Sequence, residues 1–512
     1  MQSQEGQAHG REGKVLASAL VLGLLADRLL RISPWGANAA IWLALLALAS
    51  WLFRPRDRAP ARPGLILLLL TAVLFAAAAA GRASPVLLVA NLVLSAICLL
   101  LAALKARGGD LALAGFTDYV FDLVYLGRDA ALAPVDAILR APWRNGLKST
   151  EISDIALSVA RGAAVGLPLI AVFAALFLLA DEAFTNVALN ALQIDLREPA
   201  SHAAWIAGGT WAAGGLIWQF ASAAPLPPAP AVEAPRGLRL GPIEVGLSLG
   251  GLDLLFLAFV VVQARYLFGG HGVVEQSLHL TYSHYARHGF YELLAVSVLA
   301  LPVILLTDWL LDRRCPIARR TFRVVGMALI ILLAAVMASA LKRLAVLVNV
   351  YGLSELRLYA LAGMAWLAVV FGALVFTVFR GRRSRFWPCA FVAAVAVIGL
   401  LNIANPDSLI ARTNIARLEN GNTFDVDYAL ELSDDAVPAL IAGLPRLPPD
   451  QACRAATELL HRFSTRTKDA RKWNYGRWHA ERLAGERRDS FARFCTVPFR
   501  SGVTQLMATA EA

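Results

Sequence analysis

The chain has 512 residues, 58% of them hydrophobic and 17% charged, with a formal net charge of +11. A soluble globular chain is nearer half apolar and a quarter charged, so this composition excludes an ordinary soluble domain. The excess positive charge lies in short loops between apolar runs, while the part after Asn405 is close to neutral. That is the distribution of membrane topology signals rather than of a nucleic-acid face, and no nucleic-acid partner is expected.

Residues 1–14 are polar and carry no convincing cleavage site ahead of the first apolar run, so a cleavable signal peptide is not expected. Apolar runs of about 18 to 25 residues follow, each long enough to cross a hydrocarbon core of roughly 30 Å. Eleven candidate spans read as 15–31, 36–53, 64–80, 85–104, 155–180, 203–222, 244–267, 289–311, 321–341, 358–379 and 386–404. The first carries Asp27 and Arg28 near its end and joins the second tightly through Ser33-Pro34. Residues 105–150 mix Tyr119, Phe121, Val124, Tyr125 and Leu126 with Asp118, Asp122, Arg128 and Asp129, and predict helices lying on a membrane surface. Residues 223–242 are a proline-rich linker dividing six spans (15–222) from five (243–405). No repeat relates the two halves.

After the last span the pattern changes to a helical extramembrane domain over 406–500, followed by a tail over 501–512. Ser433-Asp434-Asp435 marks one helix start and Pro448-Pro449-Asp450 opens another, about 450–467. A third, around 469–495, carries Trp473, Trp478, Leu483, Phe491 and Phe494. The predicted fold class is therefore all-α: a polytopic transmembrane helix bundle of about 11 spans with a small C-terminal helical domain. Lysine and arginine concentrate in the loops at 54–62, 105–148, 313–320 and 380–385, with fewer in the alternate loops. By the positive-inside rule the N-terminus is cytoplasmic, and eleven spans put the C-terminal domain outside. The lipid bilayer is the expected partner, with another membrane or envelope protein beside it.

The densest polar cluster is the outer loop before span eight. His271, His279, His284 and His288 lie there with Tyr282, Tyr285, Arg287 and Glu292. On a helix Tyr285, His288 and Glu292 share a face, but no HExxH or cysteine pair accompanies them, and interfacial anchoring accounts for the same residues. Neither a metal nor a cofactor is expected. The second outer loop, Lys342 to Arg357, offers Arg343, Glu355 and Arg357 as ion-pair partners for Glu292, or as an ion-paired interfacial helix. Asp253 falls near the middle of span seven, where an acid costs about 2.5 to 3.5 kcal/mol on insertion scales; it calls for a partner in the bundle, and Gln263 lies roughly on its side. Cys98 and Cys389 sit in spans and Cys315 in a loop. Cys453 and Cys495 share the outer domain, where a disulfide and two unrelated buried thiols both remain open.

The run Leu255-Phe256 through Gln263 to Tyr266-Leu267-Phe268-Gly269-Gly270, then Tyr285-Ala286-Arg287-His288-Gly289-Phe290-Tyr291-Glu292-Leu293, resembles a bacterial family of polytopic membrane proteins known only as a domain of unknown function. The resemblance continues through Tyr351-Gly352-Leu353, Arg357-Leu358-Tyr359, Asn405-Pro406-Asp407, Asp425-Val426-Asp427-Tyr428, Asp434-Asp435-Ala436-Val437-Pro438-Ala439-Leu440 and Trp473-Asn474. It is strongest over 244–480 and implies a bacterial membrane protein with no biochemistry to carry over; His271, His279 and His284 fall outside its pattern. Three readings follow. The first is a non-enzymatic envelope or signalling component of the inner membrane, and the second a transporter using Asp253. The third is a membrane transferase acting on a lipid-linked substrate through Glu292, Arg287 and His288.

Overall fold

The computed structural model describes residues 2–55, 63–109, 116–140, 197–222, 225–227, 235–268, 290–464 and 469–495. Among these every regular element is a helix, and the β-bridge between Leu240 and Leu311 is isolated. Among the described residues seven helices are long and apolar enough to cross a membrane: Pro63–Gly81, Pro85–Ala106, Pro242–Gln263, Glu292–Leu310, Pro316–Tyr351, Glu355–Thr377 and Arg383–Ala404. Their outward faces keep Leu67, Leu70, Leu247, Leu254 and Leu299 exposed, as a bundle solvated by lipid requires and water would penalise. The expected span 155–180 and most of the proline-rich linker lie outside the described residues. The chain divides into two compact units, one of residues 1–80, 92–109 and 120–227, the other of residues 81–91, 110–119 and 228–512.

The first unit contains α1 (Gln2–Leu30), α2 (Ala37–Leu52), most of α3 (Pro63–Gly81), the later part of α4 (Pro85–Ala106), most of α5 (Phe116–Arg140) and α6 (Arg197–Ala221). Helices α1 and α6 touch through small residues. A Cβ built on Gly23 would lie 2.6 Å from the Ile206 carbonyl oxygen, and one on Gly209 would lie 2.5 Å from Ala26 Cβ. Such close approach is how helices associate in lipid, where burial of apolar surface offers no net drive. The charges that weaken the first apolar run are used in the same contact: buried Asp27 meets His202 Nδ1 at 2.7 Å, and Arg31 reaches Glu198 at 3.4 Å. Asn38 closes the turn between α1 and α2, donating to Leu29 O at 2.8 Å and Ile32 O at 3.0 Å. Within 105–150 the helix α5 forms, and Arg107 binds Asp129 at 2.8 Å and Gln219 at 2.7 Å.

The second unit contains α7 (Pro242–Phe268), α8 (Phe290–Leu310), α9 (Pro316–Tyr351), α10 (Glu355–Thr377) and α11 (Phe386–Ala404). They pack around Ile304, Leu329, Leu333, Val370 and Leu374. One expectation is corrected here. Lys342 and Arg343 do not begin a loop: α9 runs unbroken for 36 residues to Tyr351, and only residues 352–354 turn. A pair of charges does not end a helix when its backbone ladder continues and a partner is at hand. Gly352 makes the turn at φ 82°, where a Cβ would lie 2.6 Å from Asn414 Oδ1. At the other end of these helices Leu240 pairs with the 310–312 backbone, and Arg383 binds Asp308.

The C-terminal helices are α12 (Pro406–Ala416), α13 (Val426–Glu431), α14 (Val437–Gly443), α15 (Pro449–Ser464), α16 (Tyr475–Glu486) and α17 (Arg488–Phe491). The long third helix expected over 469–495 is broken into α16, α17 and flanking 3-10 turns. Their core joins Ile410, Ala436, Leu440, Leu444, Ala456 and Phe491, and it includes Leu358 from α10. These helices therefore share one compact unit with the second set of spans rather than standing apart. A disulfide links Cys453 to Cys495.

Because a Cβ at Gly23 would meet Thr210 Oγ1 at 2.0 Å and also backbone atoms, Ile206 O at 2.6 Å and Thr210 N at 2.8 Å, Gly23→Val should separate α1 from α6. The expected result is a thermal midpoint several degrees lower in detergent, corresponding to about 1 to 3 kcal/mol of overpacking. Gly13→Ala, where nothing lies within 4 Å of the added carbon, should leave the midpoint unchanged.

Candidate functional site

Polar side chains gather where the C-terminal helices meet the turns between spans, all within the second unit. Helix α4 begins at Pro85, and its first amide donors have no partner within the helix. Asp435 supplies one from a distance: its Oδ2 accepts from Ala83 N at 2.7 Å and from Ser84 N at 3.3 Å. A carboxylate there also suits the positive end of the helix dipole. Arg82 donates Nε to Asn402 O at 2.7 Å, and Asn474 donates to Arg82 O at 2.8 Å. The same turn gives Ser84 Oγ, which lies 3.1 Å from Tyr359 OH.

The second contact is made by the 352–355 turn. Asn414 forms a reciprocal pair with Leu353, accepting from its N–H and donating to its carbonyl, both at 2.8 Å. Tyr428 OH accepts from Glu355 N at 2.8 Å. Arg417 donates to Asn349 O at 2.6 Å, near the end of α9. Asn405, at φ 55°, ends α11 and caps α12 by accepting from Ser408 N. This places Asp407 in the first turn of α12, fully buried.

Asp407 and Glu355 face each other within hydrogen-bonding reach. Asp407 Oδ2 accepts from Ser433 Oγ, while among the described residues Oδ1 meets no amide or alcohol donor. Two close carboxyl groups cannot both remain ionised at low cost, so one proton shared between them is the natural occupant. Burial raises the Asp407 pKa above its ordinary 3.8, and the hydrogen bonds from Ser433 and Glu355 oppose the rise. Asp435 is raised by burial too, opposed by the Ala83 amide and the Arg82 charge. Burial likewise raises the Tyr428 phenol. Among the described residues no three His, Cys, Asp or Glu side chains converge as a bound metal would need. The seam docks helices through carboxylate, amide and hydroxyl contacts.

The residues singled out from sequence are distributed differently. Gln263 Oε1 accepts from Arg343 Nη2 at 2.8 Å and lies 3.4 Å from Ser339 Oγ, so these two candidates do meet, inside the bundle. Glu292 is exposed in the first turn of α8. Glu355 turns to Asp407, and Arg357 donates to Gly352 O while lying over the Tyr351 ring. Asp253 is half-buried on α7, with Oδ1 enclosed and lacking a hydrogen-bond partner. Tyr285, Arg287 and His288, like His271, His279 and His284, lie outside the described residues. Sequence reasoning finds Glu355 but misses Asp407, Asp435, Ser84 and Tyr359. Tyr359, Asp407 and Asp435 all stand in the motifs that carry the family resemblance, and that is the signal the sequence offers for them.

A model of one protein family, Domain of unknown function (DUF4153), matches residues 65–443. That is well over half of the chain, and the chain belongs to this family. No curated protein and no solved structure matches it significantly.

The raised Asp407 pKa fixes the sign of a pH effect. The folded state holds this proton more tightly than the unfolded state, so stability falls as pH rises from about 4 through the raised folded value. Asp407→Asn keeps an acceptor for Ser433 and gains a donor toward Glu355. Thermal unfolding of the purified protein at several pH values should show a flatter profile for the variant, with no loss at neutral pH. A steep loss at all pH values would show that the carboxylate itself is needed.

Proposed function

We propose that this DUF4153 member is a non-enzymatic integral component of the bacterial inner membrane. In this reading its basic loops lie in the cytoplasm, and its C-terminal helices are presented to the periplasm for an envelope or signalling partner. The observation that carries it is the segregation of the turns within the second unit. The turns at 82–84, 352–354 and 405 gather beneath the C-terminal helices, while Leu240, Leu311 and Arg383 meet at the other end of the spans. The basic segments 313–320 and 380–385 belong to that second end, which the positive-inside rule assigns to the cytoplasm. The carboxylates and amides beneath the C-terminal helices are engaged in docking, which favours a structural use over turnover.

A second reading has a specific observation behind it. Asp253 is an acid in a span whose enclosed Oδ1 has no hydrogen-bond partner among the described residues, and such residues commonly mark ion or proton paths. It supports a transporter. Asp253→Leu separates the two: an envelope component should tolerate it and gain stability, by up to about 3 kcal/mol on insertion scales, whereas a transporter should lose all uptake or proton flux in reconstituted vesicles. The transferase reading rests on Glu292 with residues outside the described segments, and no observation favours it.

Sidedness is tested by maleimide-PEG labelling of intact cells, with Cys98, Cys315 and Cys389 replaced by serine. The expected outcome is labelling of Cys453 and Cys495 only after a membrane-impermeant reductant. Labelling that requires the membrane to be broken, whatever the redox state, would reverse the orientation and end this reading.

A further inference from the structure

Within the described C-terminal helices, few large apolar side chains stay exposed. Apart from Leu409 they are three aromatics close together in sequence: Trp473 at 45%, Tyr475 at 46% and Trp478 at 41%. The sequence places Trp473 and Trp478 on one helical stretch without saying which way they face, and the structure turns both outward. Between them Asn474 is buried at 1% and donates to Arg82 O at 2.8 Å. A Cβ on Gly476 would lie 3.2 Å from Ala83 N and 2.1 Å from Asp435 Oδ1. The aromatic run is thus pressed against the residues that directly follow the end of the span Pro63–Gly81. That turn marks the depth at which the chain leaves the hydrocarbon.

The three rings have the chemistry of that depth. Tryptophan and tyrosine combine an apolar body with a polar tip, and they concentrate at membrane–water interfaces for that reason. The rings are also held in place. Tyr475 lies 5.9 Å from Trp478 and stacks on His479 at 5.7 Å, and Arg482 sits over Trp478 at 5.7 Å. Lys472, Arg477, Arg482, Arg487 and Arg488 outnumber Glu481 and Glu486 around them, which complements anionic headgroups. We infer that Trp473, Tyr475 and Trp478 form an interfacial anchor that seats the C-terminal helices in the phospholipid headgroup layer, with the neighbouring cations facing anionic lipid. The anchor fixes the tilt of these helices against the bilayer, while the Asp435 and Asn474 contacts fix their position on the spans.

This inference rests on the reading that the chain crosses a membrane, so the test carries a control for that reading. In full-length protein with the three free cysteines replaced, nitroxide labels are placed singly at Trp478→Cys and Tyr475→Cys. Leu254→Cys, exposed on α7, and Glu458→Cys, exposed on α15, serve as references. The protein is reconstituted in nanodiscs containing anionic phospholipid, and collision with oxygen is compared with collision with a water-soluble nickel chelate. Oxygen should prevail at 254, 475 and 478, and the chelate at 458. If 254 reports lipid while 475 and 478 behave like 458, the aromatic face lies in water and the anchor is overturned, leaving a protein partner as the occupant. If 254 also reports water, the membrane reading fails and the inference with it.

Discussion

The carboxylate of Asp435 on the amides of Ala83 and Ser84 is the contact around which one end of the second unit is organised. A helix that starts next to hydrocarbon needs its first amide donors satisfied, and here an acceptor comes from a distant part of the chain. The acid arrives from 352 residues away in the chain. Its presence dictates the neighbourhood: a backbone without a side chain at Gly476, an amide at Asn474 to take the Arg82 carbonyl, and the Arg82 guanidinium nearby to offset the buried charge. A residue larger than glycine at 476 would collide with that carboxylate before reaching any other atom.

The polar residues buried within the apolar helices follow the same economy. Asn91 and Asn402 exchange amide hydrogen bonds at 2.9 and 2.8 Å, and Gln263 accepts from Arg343. In the first unit Arg107 is shared between Asp129 and Gln219, and Asp27 meets His202. An unpaired group in such surroundings costs several kcal/mol, so pairing is what allows these side chains to be there at all. Asp253, whose enclosed Oδ1 has no hydrogen-bond partner among the described residues, departs from this pattern.

The membrane class and the position of most spans were legible in the sequence because run length and hydropathy are local properties. Span partners were not, since Asn91 with Asn402 or Ala83 with Asp435 are pairings over more than three hundred residues. The boundary set at Lys342 failed for a related reason. Charges interrupt an apolar run on paper, but Arg343 finds Gln263 across the bundle and the helix continues. Whether Trp473 and Trp478 face the core or the outside was not legible, because an aromatic ring fits either place until its neighbours are known. Glu355 could be picked out from its loop, whereas Asp407 follows a proline in a short motif and reveals its role only when the fold brings the two acids together.

The long reach of Asp435 has a consequence for biosynthesis. The turn at 82–84 is made early, and the residue that completes it emerges 352 positions later. At roughly 5 to 20 residues per second, α4 waits on the order of 20 to 70 s for its cap. During that interval the Ala83 and Ser84 amides have only water or headgroups as partners, which is tolerable because they lie at a helix end rather than in the hydrocarbon. The final step of assembly is therefore the arrival of the last-made helices on turns inserted long before, and a chain cut short before residue 435 would carry its spans with that face permanently open.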